Sequence, residues 1–222
     1  MFTLITLADV VQIHPNEFHK PSIRSIEDFI NNKYADKVIH RVGLCIGFHS
    51  LISTSEGLIG HGTGIVNVNV DFRLVVFRPF KGEILRATIT QSSQQGIYLS
   101  VDFYEDLLVP PETLFDGSTW EKDDNGTMAF VWRTEDGEGG QNEFFFDNAE
   151  SCMVRIEEEQ WHDVSPDAVK SQTYASPEEE ETASRMPPYL VRGSMMHAGL
   201  GPTLWWMGEA ADGSGDDAVN GT

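Results

Sequence analysis

Apolar and polar residues alternate with a period of two along several stretches of the chain, the pattern of strands with one face buried and one solvated. It is plainest where Val66, Val68, Val70, Phe72, Leu74 and Val76 are interleaved with Asn67, Asn69, Asp71 and Arg73. Phe2 to Ile13, rich in apolar and β-branched residues, predicts a first strand that stops at the turn His14 and Pro15 make. Between the two the period changes. After the loop PNEFHKP, Pro21 and Ser22 supply a helix start, and Ile23, Ile26, Ile30 and Tyr34 recur at three- and four-residue spacing with Phe29 at the edge of the stripe. Val38 to Leu51 reads as one unusually long strand, followed by STSEGLIGHGTG, whose glycines mark an exposed loop or hairpin tip. Residues 1–80 are expected to fold as an α+β domain, one helix on one face of an antiparallel sheet.

Pro79 interrupts the ladder, and a domain boundary is expected near residue 80. Beyond it Leu85, Ala87 and Ile89 alternate with Arg86, Thr88 and Thr90, and then Ile97, Leu99, Val101 and Phe103 alternate with Tyr98, Ser100 and Asp102. Leu107 to Val109, Met128 to Arg133, Glu143 to Phe146 and Cys152 to Ile156 are further short strands. Many short strands without a helical period predict an all-β closed barrel such as an OB fold over residues 81–206. Two acidic, glycine-bearing stretches, 116–126 and 135–142, read as loops inserted into it, and 165–186, with Glu178 to Glu181, as disordered. Order returns at PPYLVRGSMMHAGLGPTLWW, because two terminal indoles are costly to leave in water; Trp205 and Trp206 are expected to pack on the barrel or the interdomain seam. Residues 207–222 form a frayed acidic tail.

Charge sharpens this division. The 222 residues carry 15 Lys+Arg against 35 Asp+Glu, a net charge of -20. Residues 1–80 hold 7 basic and 7 acidic side chains, so the whole excess lies in 81–222, with 8 against 28. An acidic half argues against general affinity for duplex backbone, which is driven by Lys and Arg displacing counterions. Any nucleic-acid contact is then local and weak, or made jointly with a partner. The two cysteines, Cys45 and Cys152, lie in apolar or mixed runs and read as buried free thiols of a reducing compartment. The triplet Asn125, Gly126, Thr127 therefore has no glycosylation role. The opening MFTLITLADVVQIHP has no basic start, and no apolar run reaches the roughly 20 residues of a membrane span, so neither a secretory signal nor a membrane association is expected.

The common catalytic patterns GxxxxGK[ST], GxSxG, HExxH and CxxC are all missing. Gly60, Gly62 and Gly64 lead into a strand, whereas a dinucleotide loop leaves one. The seven histidines have no metal-ligand spacing. No catalytic residue, metal site or cofactor is expected. What remains is the outer face of the barrel, where Tyr98 and Arg86 point away from the core. An outward aromatic beside a cation can stack an unpaired base and steady its phosphate. A surface tyrosine shielding its neighbours is the alternative. Lys81 and Arg78 extend a basic track or pair with the abundant carboxylates.

The segments MFTLITLADVVQIHPNEF, NNKYADKVIHRVGLCIGF, VDFRLVVFRPFKGEIL, SVDFYEDLLVPPETL and PPYLVRGSMMHAGLGPTLWW together resemble the larger stalk subunit of RNA polymerases, in the right order over most of residues 1–110 and 187–206. FYEDLLVPPETL, the acidic insert and the terminal GLGPTLWW are similar to the RNA polymerase III branch. The resemblance implies a truncated RNP-like N-terminal domain followed by an OB-fold domain, and a heterodimer with a smaller helical stalk subunit. It further implies attachment to the polymerase III core in the nucleus, support of initiation at transfer-RNA and 5S ribosomal-RNA genes, and contact with nascent single-stranded RNA. The family's N-terminal tip docks to the core; the matching loops here are Pro15 to Pro21 and Glu56 to Gly64, carrying Pro15, Phe18, Gly60 and Gly62. Where related OB domains use two aromatics and a histidine for RNA, this chain keeps Tyr98 and places Gln95 and Pro110 at the other positions, which implies a weak RNA surface. A free OB-fold RNA-binding protein and the stalk subunit of a different polymerase are the competing readings.

Overall fold

The computed structural model describes residues 1–122, 128–135, 141–163 and 187–206. Among these, Met1–Phe80 make one compact unit and Lys81–His162 with residues 190–206 a second. The expected stretches 165–186 and 207–222, and the triplet at 125–127, lie outside the described residues.

The first unit is a sheet with a single helix against it. Strand β1 (Phe2–Ile13), helix α1 (Ser22–Tyr34), β2 (Lys37–Ile39), β3 (Gly43–Thr54), β4 (Leu58–Ile59) and β5 (Val66–Phe77) follow in chain order. The sheet runs β1-β5-β3-β2, with β4 also paired to β5, and every pairing is antiparallel. The alternation of β5 decides which way the sheet faces: Val68, Val70, Phe72, Leu74 and Val76 are buried with Val11, Ile13, Ile26, Ile30 and Cys45. Helix α1 starts at an extended Pro21 and ends where Asp36 takes a left-handed backbone and donates its N–H to Cys45 O. Its stripe is shorter than the spacing suggests. Ile26 and Ile30 are buried, but Ile23 in the first turn is 63% exposed, and Ser25 faces the core instead.

The expected single strand from Val38 to Leu51 is two strands. Arg41 adopts a positive φ, and Val42 N–H donates to Ile39 O, closing a tight turn that folds β2 back on β3. An apolar run does not reveal such a turn, because the residues on both sides of it are partly buried.

In the second unit, β6 (Ile84–Ser93), β7 (Gly96–Val101), β8 (Tyr104–Val109), β12 (Ser151–Trp161) and β13 (Tyr189–Ser194) close into a barrel in the order β6-β7-β8-β13-β12, with β12 returning to β6. All pairs with a stated direction are antiparallel except β8 with β13, which is parallel. This is the five-stranded barrel expected of an OB fold. Closure is tight: a Cβ on Gly193 would sit 2.4 Å from the Val154 side chain, so only glycine lets β13 approach β12 there. Leu85, Ala87, Ile89, Ile97, Leu99, Val101, Leu107 and Val109 fill the interior. Phe103 does not join them; Asp102 turns left-handed just before it and leaves its ring 43% exposed.

Two expectations for this unit need correction. Met128 to Arg133 and Glu143 to Phe146 are strands, but not barrel strands: β10 (Met128–Glu135) lies between β9 (Thr119–Lys122) and β11 (Gln141–Phe145) in a separate antiparallel sheet. The stretches 116–126 and 135–142, read as loops, contribute β9 and the start of β11 to that sheet. Arg133 fastens it, donating to Glu121 on one neighbouring strand at 2.7 Å and to Glu143 on the other at 2.8 Å. The acidity that suggested a loop is therefore partly the counter-charge of one arginine. The final turn, β14 (Gly201–Pro202) and residues Thr203–Trp206, straps back onto β12. Trp205 lies against Phe115, Trp132, Phe144 and Phe146, with ring centroids 4.7 to 6.0 Å away, so the terminal indoles seat on the added sheet.

Candidate nucleic-acid interface and docking tip

The described residues contain no group of three or more His, Cys, Asp or Glu side chains placed to hold a metal ion. Cys45 and Cys152 are buried and unbonded to each other, and burial pushes the Cys152 thiol up to about 12, far from a reactive thiolate.

On the barrel, alternation delivers Arg86, Thr88 and Thr90 to the outside of β6 and Tyr98 to the outside of β7. Tyr98 is half exposed; its hydroxyl donates to Gln95 Oε1 at 3.3 Å, while Thr90 Oγ1 donates to the Tyr98 carbonyl at 3.0 Å. Arg86 is not beside it. The register sets Tyr98 opposite Gln91 and Arg86 opposite Met153, so five residues of β6, roughly 16 Å, separate them along the strand. Arg86 Nε donates to Ser151 Oγ at 2.8 Å. Lys81 is exposed in the turn that precedes β6, where Gly82 N–H donates to Ile156 O. Of the two replaced family positions, Gln95 is exposed next to Tyr98, and Pro110 is buried, where no base can reach it. The residue that pairing alone brings to the other flank of Tyr98 is Leu108, whose parallel partner is Arg192. Nothing in local spacing reveals this, because β13 lies more than eighty residues downstream of β8.

In the first unit, the loop after β1 and the loop before β5 meet at one end of the sheet, since Ile13 and Val66 are register partners. They touch: a Cβ on Gly64 would lie 3.3 Å from the Pro15 ring. Gly60 N–H donates to Ile65 O, and Gly62 takes φ +81, so these glycines shape a tight tip. Pro15 is exposed, Phe18 is 53% exposed, and Leu58 and Ile59 are each 71% exposed. The apolar pair Leu58 and Ile59 was visible in the sequence as two large aliphatics in a glycine-rich loop. Phe18, Leu58 and Ile59 are thus large apolar side chains left exposed in the loops at this end of the sheet.

Comparison with known proteins supplies the family. Residues 83–206 match the family described as RNA polymerase III subunit Rpc25, and residues 8–64 match the SHS2 domain found in the N terminus of Rpb7p/Rpc25p/MJ0397. The chain is 35% identical to DNA-directed RNA polymerase III subunit rpc8 of Schizosaccharomyces pombe, over 93% of this chain and 100% of that protein. It is 33% identical to the subunit RPC8 of Saccharomyces cerevisiae over 93% and 100%, and 35% identical to that of Bos taurus over 93% and 98%. The tip and the closed barrel are thus features of a polymerase component, and the chain belongs to the RNA polymerase III subunit Rpc25 family, the larger stalk subunits that its sequence resembles.

Proposed function

We propose that this chain is the larger, non-catalytic stalk subunit of a nuclear RNA polymerase III. It pairs with a smaller helical stalk subunit, anchors to the core through its tip, supports initiation at transfer-RNA and 5S ribosomal-RNA genes, and offers the barrel's outer face to nascent single-stranded RNA. Residues 1–80 act as the RNP-like docking domain, and 81–206 as the OB-fold domain. The observation that carries the reading is similarity to polymerase III subunits along nearly the whole chain, joined to an exposed apolar tip where a polymerase-bound subunit needs a contact. Beyond the tip, Leu4 and Val10 on β1 are exposed aliphatics of the same unit, a surface for the smaller partner.

Weak RNA affinity suits this role, because a site tethered beside the transcript works at high effective concentration. Lys81, Arg86 and Tyr98 lie on the surface assigned to RNA, and the stacking partner among them is Tyr98.

The tip assignment predicts that Phe18→Asp combined with Leu58→Asp leaves the chain folded, because both side chains are more than half exposed, and removes polymerase core subunits from material purified through a tag on this chain. Core recovery equal to that of the wild type, with circular dichroism unchanged, places the anchor elsewhere.

A further inference from the structure

The register across the barrel lines up one row of outward side chains. Gln91 on β6 faces Tyr98 on β7, Tyr98 faces Leu108 on β8, and Leu108 is the parallel partner of Arg192 on β13. The residues beside this row, Leu99, Leu107 and Val191, are wholly buried, which fixes the row as outward because neighbours along a strand point to opposite faces. Tyr98 and Arg192 are two strands apart, so their backbones are about 10 Å from each other, a gap that a tyrosine ring and an arginine side chain easily span. Leu108 fills the floor between them and is only 8% exposed although it points out of the barrel.

Arg192 differs from the unit's other arginines in how it is held. Arg133 contacts carboxylates at 2.7 and 2.8 Å and Arg155 contacts Glu157 at 2.6 Å. Arg86 donates to a serine hydroxyl. Arg192 has a carboxylate, Glu158, only at 3.9 Å, its Nε is buried without a hydrogen-bond partner, and its side chain is 37% exposed. It is a cation with an unused donor on the last barrel strand, across Leu108 of the third strand from Tyr98 of the second, and the second and third strands form the face that OB barrels use for oligonucleotides. An aromatic surface, an apolar floor and a cation about one nucleotide across fit an unpaired base with its phosphate better than they fit an acidic peptide, which has no ring to stack.

We propose that Tyr98, Leu108 and Arg192 form a subsite for one nucleotide of single-stranded RNA, the base stacking on Tyr98 over Leu108 and the phosphate meeting the Arg192 guanidinium in place of Glu158. The proposal rests on the reading of the barrel as an RNA surface and moves the phosphate contact from Arg86 to Arg192.

The test is fluorescence anisotropy of a labelled twelve-nucleotide oligouridylate with the full chain across a salt series. Arg192→Gln weakens binding about tenfold, and the slope of log affinity against log salt falls by about 0.7, the share of one phosphate contact on a single strand. Arg192→Lys keeps the slope. Tyr98→Ala weakens binding about tenfold at an unchanged slope, since stacking releases no counterion. Glu158→Gln tightens binding in the wild type but not in the Arg192→Gln background, the dependence expected if it acts by freeing Arg192. Arg24→Gln, exposed on α1 and outside the RNA surface, leaves affinity and slope unaltered. Wild-type affinity and slope in Arg192→Gln, with Tyr98→Ala weakened, would overturn the subsite but keep the RNA surface; so would a slope that responds to Arg86→Gln instead. An unmodified chain that binds no oligouridylate at low salt ends the RNA reading and this proposal together, and binding of a polyglutamate peptide through Arg192 in its place would assign the surface to an acidic protein segment.

Discussion

Asp9 on β1 is held by α1 through two donors, Lys33 Nζ at 2.5 Å and Tyr34 Oη at 2.8 Å. Burial alone opposes ionisation of this carboxyl, but the hydrogen bonds from Lys33 and Tyr34 outweigh it and hold Asp9 below the usual carboxylate range. A depressed carboxylate adds stability that is present above its unfolded-state value, near pH 4, and lost as the pH falls through the lower folded-state value. Asp9→Asn is therefore expected to cost about 1 kcal/mol at neutral pH, discounted because Lys33 is nearly half exposed, and the gap from the wild type should close in acid. Urea melts of the two proteins between neutral pH and about pH 3 check this. A gap that stays constant with pH assigns the loss to packing. None of this was legible in the sequence, since Asp9 and Lys33 are far apart in the chain and only the crossing of α1 over β1 joins them. Tyr98, by contrast, was legible as an outward aromatic, because its neighbours Ile97 and Leu99 are both apolar and face the barrel interior.

Among the elements, the strands with one wet face were the readable ones. β1, β5, β6 and β7 each alternate, and the buried residues of β5 and β6 are the ones that the pattern nominates. The added sheet was not readable as a sheet, because its short strands carry carboxylates that balance Arg133 on a partner strand rather than forming a pattern within one strand. Glu121 is held down to about 2 by the hydrogen bonds from Arg133 and then Thr119, which shows how much of that acidity is structural. The C-terminal strap adds the aromatic half of the same joint. Gly201 takes φ +82 with the Phe115 ring so close that a Cβ would lie 3.1 Å from it, and Trp206 Nε1 donates to Leu200 O. Trp205 is half-buried, so Trp205→Ala is expected to cost about 2 kcal/mol, less than the 3–5 of a fully buried tryptophan. The melting temperature should fall by roughly 5 °C. Differential scanning fluorimetry measures it, and an unchanged midpoint means that the strap does not stabilise the added sheet. Truncation after Met186 is a harsher change than Trp205→Ala, because it also removes β13, the strand that closes the barrel.

At the scale of the whole molecule, the charge balance changes at residue 80, where the first sheet and helix end. Residues 1–80 are neutral and carry the apolar tip, whereas the chain beyond residue 80 carries the entire net charge of -20. Such a field repels a free polyanion and favours a role in which the transcript is delivered by the surrounding enzyme rather than captured from solution. The family resemblance and the two-unit layout were readable because they rest on long ordered blocks; the proposed phosphate contact was not, because it depends on a parallel pairing that only closure of the barrel creates. The central claim is membership of a working polymerase III, and the direct measurement is purification of the tagged chain from its own cells at moderate salt, with identification of the copurifying proteins by mass spectrometry. The account predicts the polymerase III core subunits together with one small helical partner. Recovery of a different polymerase, or of none, would contradict it.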